Sequence, residues 1–268
     1  MMFARGSKIA SSLVSRTPTT SRLRSLSTVE KTKENTLYQY AICPFCNIVK
    51  ATLDYSQTPY NAIEVNPLNK KELKWSEEYK KVPIASLEGD VIYGSAEIVE
   101  GLLTKHNDKE LWPPSKQTEK WTKYAMDDLA PLLYPNLCNT LPNSYNAFGY
   151  VHGVDTFSTA EKYSIQYIGS LAMYFAASKI KKKRGIDDVE EALRGALVEL
   201  EEHLKRGSPF LNSASKTEPD LGDLFVFGVL RGLEGLPVHD KVMVEFDSIS
   251  NWYQSMDSIV KEQKMGTA

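Results

Sequence analysis

Leu37-Tyr38-Gln39-Tyr40-Ala41-Ile42-Cys43-Pro44-Phe45-Cys46-Asn47 decides the fold of this chain. The first five residues read as a strand, and the run from Pro44 to about Ser56 reads as a helix. A proline is well tolerated early in a helix, where its missing N–H has no partner to lose. The spacing therefore puts Cys43 at the point where a helix begins. The unpaired amides there favour negative charge, and the thiolate is the reactive form of cysteine. Cys43 is the candidate nucleophile. Cys46, one turn further on, either resolves a mixed disulfide formed at Cys43 or is a small buried apolar residue. Tyr40 either sets its hydroxyl over the thiol or packs within the strand.

Working outward, the pattern is an alternation of strands and helices. Tyr60–Val65 alternates at period two and Asn66-Pro67 closes it. Lys70–Trp75 suggests a short helix. Val82–Leu87 and Val91–Tyr93 are two more strands around a turn at Glu88-Gly89-Asp90. Ser95 is placed to cap a helix from Ala96 to about Lys105, with Glu97 in its first turn. The order βαβα-ββα is the thioredoxin layout. It predicts a four-stranded mixed sheet in an α/β N-terminal domain. Beyond Trp112-Pro113-Pro114 the periodicity is near 3.6 over Thr118–Asn136, Thr159–Lys182, Asp187–Arg206, Asp220–Glu234 and Ser248–Lys261. These predict an all-α C-terminal domain. Asp220-Leu221-Gly222-Asp223 reads as a capping box. The expected divisions are 1–35 as transit peptide and linker, 36–106 as the thioredoxin-like domain, 107–117 as a linker, and 118–268 as the helical domain.

Composition narrows the function. The first 28 residues hold five of the 32 Lys and Arg and none of the 34 Asp and Glu. Arg- and Ser-rich and acid-free, they read as a transit peptide for the mitochondrion, with plastid as the alternative; cytoplasm is the location without one. The remaining 27 basic against 34 acidic residues argue against nucleic-acid binding, which needs phosphate neutralisation. No run approaches the roughly 18 apolar residues of a membrane span. Three cysteines, Cys43, Cys46 and Cys138, do not make a disulfide framework. Zinc would need a second pair of soft ligands, which is absent, and His106, His152, His203 and His239 form no cluster, so no metal site is expected.

Two further motifs bear on the thiol. Val82-Pro83 lies about 40 residues after the C-x-x-C, where a cis-proline facing the catalytic cysteine is expected. Such a bond exposes the neighbouring backbone to a peptide-like ligand. Tyr93-Gly94-Ser95-Ala96-Glu97-Ile98 opens a helix whose first amides can hold a carboxylate, or is simply a cap. The working thiol is expected to stand open to a ligand gripped at Pro83.

A thioredoxin-like domain, a Pro-rich linker and a helical domain together resemble the glutathione S-transferase superfamily. Within it, Leu37-Tyr38-Gln39-Tyr40, Cys43-Pro44-Phe45-Cys46, Glu64-Val65-Asn66-Pro67, Tyr79-Lys80-Lys81-Val82-Pro83-Ile84, Tyr134-Pro135-Asn136, Ala172-Met173-Tyr174-Phe175 and Asp223–Leu236 resemble the prostaglandin E synthase 2 family. The similarity runs from about Leu37 to Val260. It implies an isomerase turning prostaglandin H2 into E2 with thiol assistance. The implied catalytic residues are Cys43, Cys46 and Tyr40; the implied glutathione contacts are Phe45, Val82, Pro83, Gly94 and Ser95. Glutathione and haem are the implied cofactors, an apolar lipid-like molecule the substrate, and a homodimer the assembly. The chain departs from the family at three places. Gly94 replaces an acidic residue, the insertion and membrane anchor of the animal form are missing, and Pro131 stands where a histidine is expected, which counts against haem. Two other readings remain: a glutaredoxin- or transferase-like thiol enzyme, and a non-catalytic glutathione- or haem-binding module.

Overall fold

Strand β1 (Thr36–Gln39) leads through Cys43 into helix α1 (Pro44–Tyr55). The computed structural model describes residues 34–108, 111, 113–212 and 218–265, and these belong to one compact unit. The transit-peptide reading and Trp112 lie outside the described residues. Next come β2 (Asn61–Glu64), a 3-10 turn at Lys71–Leu73, β3 (Ile84–Leu87), β4 (Asp90–Tyr93) and α2 (Ser95–His106). The sheet order is β2-β1-β3-β4. β1 runs parallel to β2, with Gln39 opposite Glu64, and antiparallel to β3, with Tyr38 opposite Ile84. The sheet is thus four-stranded and mixed. The β3–β4 hairpin turns at Glu88 and Gly89, both at positive φ (53° and 98°), the conformation that matches the twist of paired strands.

The rest of the described chain is helical: α3 (Lys116–Lys123), α4 (Ala130–Leu137), α5 (Leu141–Ala147), α6 (Thr159–Ser164), α7 (Ser170–Lys183), α8 (Val189–Leu204), α9 (Leu221–Arg231), α10 (Pro237–Glu245) and α11 (Asp247–Met265). Wide π turns at Tyr124–Leu129 and Ile165–Gly169 join α3 to α4 and α6 to α7. The sequence reading took each pair as one helix. It missed α5, the 3-10 segment Phe148–Gly153 and α10.

Helix α1 is buried on two sides, which is why its apolar residues do not form a single stripe. Val49 and Leu53 pack on the sheet with Leu37, Ala85 and Leu87. Ile48 and Ala51 join the larger core of the helical half with Phe227 and Leu230. Close approach of α9 to α1 demands glycine. A Cβ at Gly228 would lie 2.5 Å from Ile48 Cα and 2.7 Å from its nitrogen. Below that contact, buried Asp54 of α1 is held by Arg231 of α9 (3.0 Å), Lys264 of α11 (3.1 Å) and the Tyr60 hydroxyl (3.1 Å). At the start of α9, the Asp220–Asp223 capping box forms as read, and Asp223 also accepts the Trp252 indole N–H at 2.8 Å.

Candidate active site

Cys43 occupies the N-cap position of α1, with extended backbone (φ −81°, ψ 120°) and Pro44 following it. The loop before it is held by backbone and amide groups. The Cys43 N–H donates to Tyr40 O (3.0 Å), and Asn47 Nδ2 donates to Ala41 O (2.7 Å) and Cys43 O (3.0 Å). The thiol is held below its ordinary value of 9.0, first by a hydrogen bond with the Cys46 thiol. Burial opposes this, while the Cys46 and Phe45 amides and the Tyr134 hydroxyl add to it. Cys46 goes the other way: burial and then Cys43 push it well above 9.0, although the Tyr40 amide reaches its sulfur. Of the two thiols, Cys43 is the one its surroundings favour as the thiolate.

The eight residues named from sequence sit as follows. Cys43, Cys46 and Tyr40 meet directly. Tyr40 contributes through its backbone, while its ring packs against the cluster of Val65, Leu73 and Ile84 and its hydroxyl is pushed up by burial, then by Cys43 and Cys46. Phe45 turns toward the helical core. The Val82–Pro83 peptide is cis. The Pro83 carbonyl accepts the Gly94 amide at 3.1 Å, which ties the start of β3 to the start of α2 and Ser95.

Two expectations are corrected. Ser95 does not cap α2. Gly94 takes the N-cap position at φ +90°, a conformation open to glycine, and the Ser95 hydroxyl turns to the Met126 sulfur at 3.6 Å, where the first π turn brings it. The Glu97 carboxylate lies against Gly94, where a Cβ would meet its Oε2 at 2.4 Å. The thiol is also not open: Cys43 is 3% exposed, and partly buried Tyr134 of α4 bonds to it.

Tyr134, Glu64 and Tyr150 have no site role in the sequence reading. Glu64 is a single acid at the end of an otherwise unremarkable strand. It is buried, and its carboxyl is pushed up to about 7 by desolvation despite donors on both oxygens. Among the described residues no group of three or more His, Cys, Asp and Glu is arranged to hold a metal ion, and Pro131 lies in the first turn of α4.

A mixed sheet with a cysteine heading its first helix, backed by a helical half, defines a glutathione S-transferase fold. Residues 37–110 match the glutathione S-transferase N-terminal domain, and residues 184–255 match the glutathione S-transferase C-terminal domain. Among solved structures, the beta-etherase LigF of Sphingobium sp. strain SYK-6 superposes with a TM-score of 0.56 at 16% identity, covering 87% of this chain and 100% of that one. Poplar glutathione transferase F1 gives 0.53 at 15% identity, covering 87% and 99%. At sequence level the chain is 32% identical to prostaglandin E synthase 2 of Danio rerio over 82% of its own length and 70% of the relative's. It is 30% identical to that of Mus musculus over 85% and 70%. The chain belongs to the prostaglandin E synthase 2 family.

Proposed function

We propose that the chain is a thiol- and glutathione-dependent isomerase that converts prostaglandin H2 to prostaglandin E2 at Cys43. The observation that carries this is the set of donors around that sulfur: the Cys46 thiol, two α1 amides and the Tyr134 hydroxyl, all favouring a thiolate in a covered site. The thiolate attacks one peroxide oxygen; an S–O bond forms, the O–O bond breaks, and the other oxygen takes a proton to become a hydroxyl. Loss of the proton from the carbon bearing the S-linked oxygen leaves a ketone and expels the thiolate, so no net oxidant is used.

Glutathione supplies a second thiol when bound. Val82, Pro83, Gly94 and Ser95 would hold it, Phe45 would shape the thiol side of the site, and Glu97 offers the acidic group that Gly94 lacks. An apolar cleft of about 260 Å³ between α2 and the first π turn, lined in part by Val99, Met126 and Phe225, suits hydrocarbon tails. A homodimer and mitochondrial delivery by the basic leader complete the reading. No described helix is long and apolar enough to cross a membrane.

The direct Cys43–Cys46 contact favours a second reading, glutathione-dependent disulfide reduction or transfer. The test is turnover of prostaglandin H2 and of a small disulfide by the full chain and by Cys43→Ser. Loss of E2 formation in a folded Cys43→Ser chain supports the isomerase. Retained E2 formation removes Cys43 from the mechanism.

A further inference from the structure

Beneath the thiol loop, β2 ends in Glu64, a buried acid to which the reaction above gives no task. Its Oε1 accepts the Ala41 amide at 2.9 Å, two residues before Cys43. Its Oε2 accepts Gln39 Nε2 at 3.2 Å. The Tyr150 hydroxyl, brought from the helical half, also donates to it. Gln39 commits its amide N–H to this carboxyl and leaves its own buried Oε1 without a protein partner, an arrangement that suits an anionic acceptor. We infer that Glu64 is a positioning residue of the thiol site. By receiving the Ala41 amide and the Tyr150 hydroxyl it fixes the loop that presents Cys43, and its negative charge adds to the burial that keeps Cys46 in the thiol form. The pair's ionisation then falls on Cys43. The inference rests on Cys43 being the working thiol.

The groups facing this carboxyl come from every neighbouring element. α1 supplies Cys46 and Lys50; the Lys50 ammonium favours the Glu64 anion and is itself weakened by burial and by Arg231, and supported by Asp54. β1 and the loop supply Tyr40, which also feels Glu72, and the 3-10 segment Phe148–Gly153 supplies Tyr150. Cys46, Tyr40 and Tyr150 each bind their protons more tightly for the presence of Glu64. The carboxyl itself titrates near neutrality, so the device is engaged above about pH 7 and relaxed below it.

The test is a ¹³C-cysteine NMR titration of the full chain, in which the three cysteines give separate signals and Cys138, outside the site, is the control. In a Cys43→Ser background, which relieves Cys46 of its charged neighbour, Glu64→Gln lowers the Cys46 midpoint by about one pKa unit, about tenfold in its ionisation constant. Glu64→Asp, which keeps the charge, leaves that midpoint near its starting place. An unmoved midpoint in Glu64→Gln, or an equal shift in both variants, overturns the inference. Because these measurements read ionisation and not turnover, their failure would leave the Cys43→Ser result standing.

Discussion

The Tyr134 hydroxyl reaches from α4 to the Cys43 thiol, so the helical half of the molecule contributes to the ionisation of a sulfur carried by the sheet-containing half. The geometry depends on α9. Gly228 lets it press against α1, and Gly232 lies 3.5 Å from Pro44 Cα by its would-be Cβ. The thiol is thus positioned by packing between the two halves as well as by its own loop.

Removing that hydroxyl has a defined sign. A hydrogen bond to a charged group contributes about 1.5–3 kcal/mol, or roughly one to two pKa units. Tyr134→Phe should raise the pH at which Cys43 becomes reactive and slow its alkylation near neutrality by tenfold or more. Peptide mass spectrometry after timed iodoacetamide treatment at several pH values measures it. An inflection identical to wild type would show that Tyr134 merely covers the sulfur.

Cys46 separates the two chemistries. Its thiol is the foremost donor to Cys43. Cys46→Ala should raise the Cys43 inflection, abolish dithiol-dependent disulfide reduction, and leave E2 formation slowed but present. Complete loss of both activities in a folded variant would mean that isomerisation also requires the second sulfur.

The α1–α9 contact has no room for a methyl group. Gly228→Ala should cost about 1–3 kcal/mol, the usual range for overpacking a close-packed core. It should also depress turnover, because α1 carries Cys43. Thermal unfolding reads the first effect and steady-state rates the second; an unchanged melting midpoint would show that the helices can separate freely.

Glu64 and Asp223 give the fold a particular pH response. Burial pushes both carboxyls up to about 7. Each binds its proton more tightly folded than unfolded, so its stabilising contribution is complete below its ordinary values of 4.5 and 3.8 and is lost as pH rises through about 7. Glu64→Gln combined with Asp223→Asn should flatten the fall in melting midpoint between about pH 5 and about pH 8. A double variant with the wild-type slope would show that neither carboxyl is shifted.

The order of strands and helices around Cys43-Pro44 was legible because each local signal agreed with the fold: alternation in β1 and β2, Pro44 at a helix start, the Glu88-Gly89 turn, and the Asp220–Asp223 box. The π turns were not legible, since the stretches on either side of each keep their own 3.6 pattern and the change of phase between them is confined to one turn. Helices α5 and α10 are short, but their openings carried a signal: Thr140 accepts the Asn143 amide at 3.2 Å with Pro142 behind it, and Pro237 opens α10. At the site, the C-x-x-C and Val82-Pro83 could be read locally. Tyr134, Glu64 and Tyr150 could not, because they are distant in sequence and converge only through tertiary packing. Ser95 failed as a cap for a local reason: Gly94 at φ +90° supplies the turn, freeing the hydroxyl for Met126.

The account turns on the charge of one sulfur. The rate of Cys43 alkylation in the reduced wild-type chain, followed at that residue across pH, measures it most directly. The account predicts an inflection clearly below the ordinary thiol value of 9.0. An inflection at or above that value would contradict it.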